Sequence, residues 1–501
     1  MHKLSKKIYF FALISLLIFT TSCSKQDKPV VVEKPIQIAL TQDILSFDPI
    51  KTSDIYSEAV LRCIYTSLFD FDDELNLRFK LAKEVETIDD LTWKITIHDN
   101  VKFHDGSPLT TDDVLFSIQR ALTGERTQKS LEIVDYVEKV DDTTFIIKSK
   151  EPYSDLLSLF AKAETSIVSK NIVEKPDYDF TTPVGAGPFK FVSREVEKEI
   201  ALARFDDYFL EMAAWPLINF KVIVSEQERT TAFLNKEVDI LFSVSAYDCE
   251  KLSLSPDVEI LQSPSTKIEY LSLNTQHAPL DNPKVRLAIS YAINRDTITD
   301  NVYHGYSVPA SSTIPKGIIG FVESPITYDP EKAKELLKEA GYENGFEFTV
   351  ITINTIRKNT LEYIKLDLAA VGIQLNYNLV TMQEAVDMMN AGEHDGILVG
   401  WAFNSDPNGV LPVLLGTGSG KTMNSSNYSN PIVDDLIKEG RIESNVDKKK
   451  AIYEEINKIV TSDSPIVVLQ NPMVLSASLN DIEGIHFNSQ GLIQYESLYR
   501  K

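Results

Sequence analysis

The chain has 501 residues, and 73 acidic against 50 basic side chains give it a formal charge of −23 at pH 7. That acidic surplus excludes a nucleic-acid binder driven by phosphate contacts, which needs a basic footprint. Otherwise it describes a soluble surface, and the length exceeds what one hydrophobic core serves, so two or three domains are expected.

The chain opens with Lys3, Lys6 and Lys7 ahead of an apolar run from Ile8 to Phe19. About 12 apolar residues are too few to span a bilayer core, which takes about 20. The pattern reads as a signal peptide over 1–22, followed by Thr20-Thr21-Ser22-Cys23. A small residue before a cysteine suits lipoprotein processing, so Cys23 is the expected lipidation site, although Thr20 stands where a leucine is preferred. Residues 23–34 are polar and proline-bearing, as a tether would be. Removing the three lysines of the leader takes the formal charge to −26.

Ile36–Leu40 reads as a short strand and Ser46–Pro49 as the turn after it. Ala59–Leu68 is an apolar helical stretch in which Cys63 reads as a buried small hydrophobe. A Cys63–Cys249 disulfide is possible in an exported protein, but spacing alone does not close it. Trp93, Ile95 and Ile97 alternate with polar residues, the period of a strand with one buried face. His104-Asp105-Gly106-Ser107-Pro108 then forms a turn, in which Asp105 and Gly106 serve the turn rather than a ligand. Thr110 or Thr111 caps a helix beginning Asp112-Asp113-Val114, with carboxylates at its positive end. Ile218–Val224, Glu226–Asn235 and Val238–Phe242 read as strand, helix and strand, a βαβ unit that belongs in an α/β sheet. Phe346–Thr352, Thr360–Val371 and Gln374–Val380 repeat that order, and Gly396–Gly400 is a further apolar strand.

The segment Trp93–Ser117, WKITIHDNVKFHDGSPLTTDDVLFS, resembles the signature region of the family 5 extracellular solute-binding proteins, the receptor subunits of peptide, dipeptide and nickel ABC importers. The likeness continues over roughly 450 residues. Val184-Gly185-Ala186-Gly187-Pro188-Phe189 is similar to the family's "GTGPY" turn, and Arg204-Phe205-Asp206-Asp207-Tyr208-Phe209 to its "RNPDYW". Asn274-Thr275 followed by Pro283–Ala288, then Ala292–Arg295 and Gly400-Trp401, match further landmarks in order. The resemblance implies an α/β fold of the periplasmic-binding-protein-like type II, with two lobes around a hinged cleft plus an accessory domain. It divides the chain into a discontinuous lobe I (35–66, 184–264 and 474–501), an accessory domain (67–183) and lobe II (265–473). Two crossings between lobes make a hinge, and a hinge makes a closable cleft.

The resemblance also implies the ligand: an extended peptide swallowed between lobes, its backbone paired with strand edges and its side chains in hydrated pockets. In the family an aspartate three residues after the Gly-Trp pair holds the peptide ammonium, in a pattern like "GWxxDYxDP". Here Asn404 occupies that position, the segment is one residue shorter, and Asp406 is either the displaced anchor or the family's second acid. Leu398 stands where some oligopeptide receptors carry an arginine for the peptide carboxylate. Trp401, Tyr270 and the loop residues Leu45, Ser46 and Phe47 complete the expected ligand contacts. If Asp406 serves as anchor the ligand is an ordinary peptide; if not, a blocked or cell-wall-derived peptide or a metal chelate such as nickel is expected.

Gly416–Thr422, GTGSGKT, imitates a phosphate-binding loop. That loop needs four residues between its first glycine and the Gly-Lys pair, whereas Gly416 and Gly420 enclose three. Pro412 also spoils the preceding run as a central strand. The seven histidines show no zinc spacing and there is no G-x-S-x-G elbow, so no metal, cofactor or catalytic residue is expected. The reading is therefore a non-enzymatic, monomeric, lipid-anchored periplasmic receptor that captures peptides and delivers them to a membrane permease. Its rivals are a receptor of the same family for another solute, an exported peptide hydrolase, and a chaperone or adhesin on the same scaffold.

Overall fold

Strand Ile36–Leu40 is buried at every position and lies inside a seven-stranded sheet, paired in parallel with Leu217–Val222 on one side and Ile240–Leu241 on the other. A parallel strand covered on both faces reads as a near-continuous apolar run, as IQIAL does with Gln37 its one polar residue. The computed structural model describes residues 33–501 except Ser53, Asp73, Glu74, Asn404, Ser489 and Gln490. The leader, Cys23 and most of the tether therefore lie outside the described residues.

The expected βαβ unit is present, with helix Glu226–Leu234 joining strands Leu217–Val222 and Ile240–Leu241. Ile36–Leu40 is inserted between its two strands, so they do not touch, and the second strand is shorter than the apolar pattern of 238–242 suggests. The other unit runs through Phe346–Thr352, helix Thr355–Ala369 and Ile373–Leu379, whose strands pair directly in parallel. The helix begins five residues before the expected Thr360 because the Asn354 side chain accepts from the Arg357 N–H and caps it there.

These units belong to two separate sheets, one of seven strands and one of six. The chain crosses between them twice, from Val258–Ser263 into Lys267–Leu273 and from Ile466–Pro472 into Val474–Leu479. The Ser265 hydroxyl donates to the Pro472 carbonyl and ties the crossings together. After the second crossing, Val474–Leu479 enters the seven-stranded sheet between Ile240–Leu241 and Val258–Ser263. Two sheets with two crossings are the two-lobed frame: the seven-stranded sheet forms the first lobe and the six-stranded sheet the second.

A four-stranded antiparallel sheet forms the accessory unit, with Thr92–Ile97 near its middle. Its alternation buries Trp93, Ile95 and Ile97 against helix Thr111–Thr123. Thr110 is the cap, and the Asp113 carboxylate returns to the Thr110 N–H at 3.0 Å to complete a capping box. Among the described residues no helix is long and apolar enough to cross a membrane.

Candidate functional site

The sequence landmarks meet in space, and what they build is a seam between the accessory unit and the first lobe. His104, in the turn after the Trp93 strand, lies against the Gly185–Gly187 turn. The Gly185 N–H donates to His104 Nδ1 at 3.3 Å, and Nε2–H donates to the Gly187 carbonyl at 3.0 Å. The ring also meets Phe205 edge-on at 4.9 Å. Burial pushes the imidazole down to about 4, so it is neutral at pH 7 and both nitrogens are satisfied. Glycine is required here by space: a Cβ on Gly185 would stand 2.0 Å from the Ile64 carbonyl oxygen, and one on Gly187 would stand 2.6 Å from that of Cys63. Lys102 and Asp207 close the seam at 2.9 Å.

Landmarks in the second lobe are brackets of the same kind. The Asn274 amide donates to the His394 carbonyl at 2.9 Å. Arg286 donates to the Asp463, Leu280 and Asp281 carbonyls, and Arg295 to that of Val468 at 2.7 Å. Gly400 leaves room for a buried ion pair: a Cβ there would meet Glu269 at 2.7 Å and Arg357 at 2.9 Å. Arg357 grips the Glu269 carboxylate with two bonds, of 2.6 and 3.0 Å. Burial works to raise the Glu269 carboxyl, but Arg357 and Lys267 outweigh it and hold it below its usual value.

The candidate site is a cavity of about 640 Å³, walled on one side by Phe71, Leu75, Leu77, Asp155 and Ser158 and on the other by Gly317–Phe321, Ser405, Asp406, Glu443, Lys449 and Lys450. That volume falls within the range of small-molecule sites. Across its rim the Lys449 ammonium donates to the Ser154 hydroxyl at 2.7 Å, and Arg441 pairs with Glu151 at 3.0 Å. The Arg441 guanidinium also lies over the Tyr153 ring.

Asp406 lines this cavity but its carboxylate is occupied. Oδ2 is paired with Lys449, while Oδ1 accepts from the Tyr453 hydroxyl at 3.0 Å and from the Asn408 N–H at 2.8 Å. The last bond caps the turn Pro407–Gly409. Facing it across the cavity is Asp155, which is partly buried. Burial first, and then the Asp406 charge, push the Asp155 carboxyl up to about 7.

The other expected contacts are placed as follows. Asn404 lies outside the described residues, but its neighbours Phe403 and Ser405 face Phe71, Leu75 and Ser158. Trp401 is half-buried at the end of strand Gly396–Ala402 and packs on the core of the second lobe. Tyr270 is only 2 % exposed in that core and Leu398 is fully buried, so neither reaches the cavity. Leu45 is exposed, Ser46 half-buried and Phe47 buried against Phe191, all away from the cavity wall. Cys63 and Cys249 are both buried and unpaired, so the disulfide left open by the sequence does not form. The Cys63 thiol donates to the Ala59 carbonyl at 3.3 Å, as a helix-core residue does.

Sequence reasoning missed Asp155, Lys449 and Tyr453. A lone aspartate after Pro-Tyr-Ser carries no signal. Lys449 does: it sits on the buried stripe Lys449, Ile452, Tyr453, Ile456, Val460 of helix Val446–Asp463, and a lysine at such a position needs a carboxylate partner. Among the described residues no cluster of three potential metal ligands occurs.

Comparison with known proteins agrees with this geometry. Residues 76–422 match the family model of the bacterial extracellular solute-binding proteins, family 5 (middle region). The chain is 28% identical over 485 residues to the glutathione-binding protein GsiB of Pectobacterium atrosepticum, covering 93% of this chain and 94% of that one. In fold it is similar to HbpA2 of Haemophilus parasuis, with a TM-score of 0.86 at 24% identity, over 93% of this chain and all of that one. It also resembles the periplasmic binding protein DppA of Helicobacter pylori in complex with the peptide STSA, with a TM-score of 0.76 at 27% identity, over 93% and 98% of the two chains. GsiB and DppA are binding proteins by name. The chain belongs to the family 5 bacterial extracellular solute-binding proteins.

Proposed function

We propose that this protein is the receptor of an ABC importer and that it captures a short peptide, of about the size of glutathione or a tetrapeptide, in the cavity between its accessory unit and its second lobe. The observation that carries this reading is the cavity itself, whose two walls come from opposite sides of the cleft and meet at the rim through side-chain contacts and a hydrogen bond from the Ser154 N–H to the Arg441 carbonyl at 3.3 Å. Such contacts part and re-form when the two crossings flex, so ligand entry and lobe closure are one event. The relatives named for glutathione and the neighbour that holds STSA support the ligand class.

In this reading the protein is exported, held to the membrane by lipid on Cys23, acts as a monomer, and hands its ligand to a permease. Palmitate labelling that disappears in Cys23→Ser tests the anchor. For the ligand, residues 24–501 are expressed in a periplasm, and the cargo that co-purifies is released by denaturation and weighed by mass spectrometry. Short peptides or glutathione are expected; a metal complex, or cleavage of added peptides, would overturn the reading. A second reading keeps the scaffold and changes the ligand to a blocked or cell-wall-derived peptide. It is favoured by one observation: Asp406, the acid nearest the family's anchor position, is already bound by Lys449 and Tyr453.

A further inference from the structure

The charges lining the cavity do not cancel. Among the described residues Asp155, Asp406 and Glu443 are the acids on its wall and Lys449 and Lys450 are the bases. Lys449 is committed to Asp406, and Lys450 reaches toward Glu454, at 3.9 Å. Both partners of the Asp406–Lys449 pair are more than nine-tenths buried, so neither is free to turn to Asp155. The Ser158 hydroxyl lies beside the Asp155 carboxyl but donates its proton to the Asp155 backbone carbonyl at 2.8 Å, and the Lys162 ammonium faces the carboxyl from its own side of the cleft; Lys162 also lies 3.8 Å from Glu164. From the second lobe it faces Asp406, Lys449 and the Tyr453 phenol, with the Tyr153 phenol and Arg441 close by. Two carboxylates therefore share essentially one buried ammonium. A carboxyl so placed holds its proton up to about pH 7 unless another cation arrives.

We propose that Asp155 is a ligand-contacting carboxyl of this cavity and that it selects ligands presenting an organic cation, a primary ammonium above all. The inference rests on the receptor reading and deepens it by naming the end of the ligand that the cavity recognises. When the ammonium enters, the Asp155 O–H bond breaks and its proton passes through the cavity water to the buffer. The carboxylate left behind pairs with the ligand cation, so one positive charge enters as one leaves and the net charge of the closed cavity is unchanged by this exchange. With the empty-state carboxyl titrating near 7, affinity for an ammonium ligand falls as pH drops below that value, because the ligand must displace a proton. A peptide α-amine titrates at about 7.7–8.0, so it stays charged through pH 5–7 and the slope reports the protein.

Isothermal titration of residues 24–501 with trialanine, glutathione and their N-acetyl derivatives tests this, in two buffers of different ionisation enthalpy at pH 5.5 and 6.5. Binding of a free-amine probe with net proton release, and a loss of affinity on the order of 100-fold on N-acetylation, are expected. Asp155→Asn mimics the protonated carboxyl and should leave the thermal midpoint of the empty protein at pH 5.5 unchanged. It should remove the proton release and the pH slope, and bring free-amine and N-acetyl probes to similar affinity; Asp155→Glu should restore part of the discrimination. Equal binding of both probes by the unaltered protein, or an Asp155→Asn protein that still releases a proton and still discriminates, overturns the role of Asp155 while the receptor reading stands. If no probe binds the unaltered protein, both fall.

Discussion

Two titratable groups in this molecule are pushed by burial toward their neutral forms, His104 down to about 4 and Asp155, with the Asp406 charge adding to burial, up to about 7, and they serve opposite ends. His104, in the seam, has both ring nitrogens bonded to the backbone of Gly185 and Gly187 and a Phe205 ring against its face. Asp155, in the cavity, faces a carboxylate whose cation is already taken. The first group is closed off and has nothing left to bind; the second is short of a partner and borders open space. A shifted pKa is therefore no sign of function by itself. What separates architecture from readiness is whether the local hydrogen bonds and charges are complete.

The largest effect should come from filling the seam. Gly185→Val places a branched side chain where a Cβ alone would lie 2.0 Å from the Ile64 carbonyl. Rigid backbone leaves no room to repack, so a loss of roughly 3 kcal/mol or more is expected by urea unfolding. Stability within 1 kcal/mol of the parent would break the view of the seam as a rigid joint.

Next is the cavity's own ion pair. Asp406→Ala strands Lys449 in the protein and should cost about 3–5 kcal/mol. The double change Asp406→Ala with Lys449→Met removes the stranded charge and should recover much of that loss. If the single change proves as mild as the double one, Asp406 is not the structural partner of Lys449 and returns as a candidate ligand anchor.

Acid sharpens the comparison, because the two neutral groups respond with opposite signs. The His104 value falls from 6.5 unfolded to about 4 folded, so its contribution is present above 6.5 and is lost as pH falls toward 4. The Asp155 value rises from 3.8 to about 7, so its contribution is present below 3.8 and is lost as pH rises toward 7. Each slope is at most about 1.4 kcal/mol per pH unit. Unfolding of the empty protein should therefore show Asp155→Asn gaining on the parent between pH 5 and pH 8. A ratio independent of pH would place the Asp155 carboxyl in ordinary solvent. The smallest effect concerns the thiols: with Cys63 and Cys249 unpaired, reductant should leave the melting temperature of residues 24–501 unchanged, and both thiols should react only in denaturant.

Much of this molecule is written in short stretches of chain. The IQIAL run, the alternation of Trp93, Ile95 and Ile97, the turn at Asp105-Gly106 and the cap at Thr110 obey rules that reach no further than a few residues, and each is present. The landmarks that reveal the family are of the same sort, because they are joints: His104, Gly185, Gly187, Asn274, Arg286 and Arg295 hold backbone to backbone. Their residue types are dictated by space and hydrogen bonding at fixed places in the frame. The cavity obeys no local rule. Tyr270 and Phe47 carry groups able to meet a ligand, yet packing turns them into cores, and Asp406 is drawn away by a lysine 43 residues later. Asp155 becomes a binding candidate only when the cleft brings it opposite that occupied pair. Long-range electrostatic balance depends on which charges face each other across a closed cleft, and no window of sequence contains both walls.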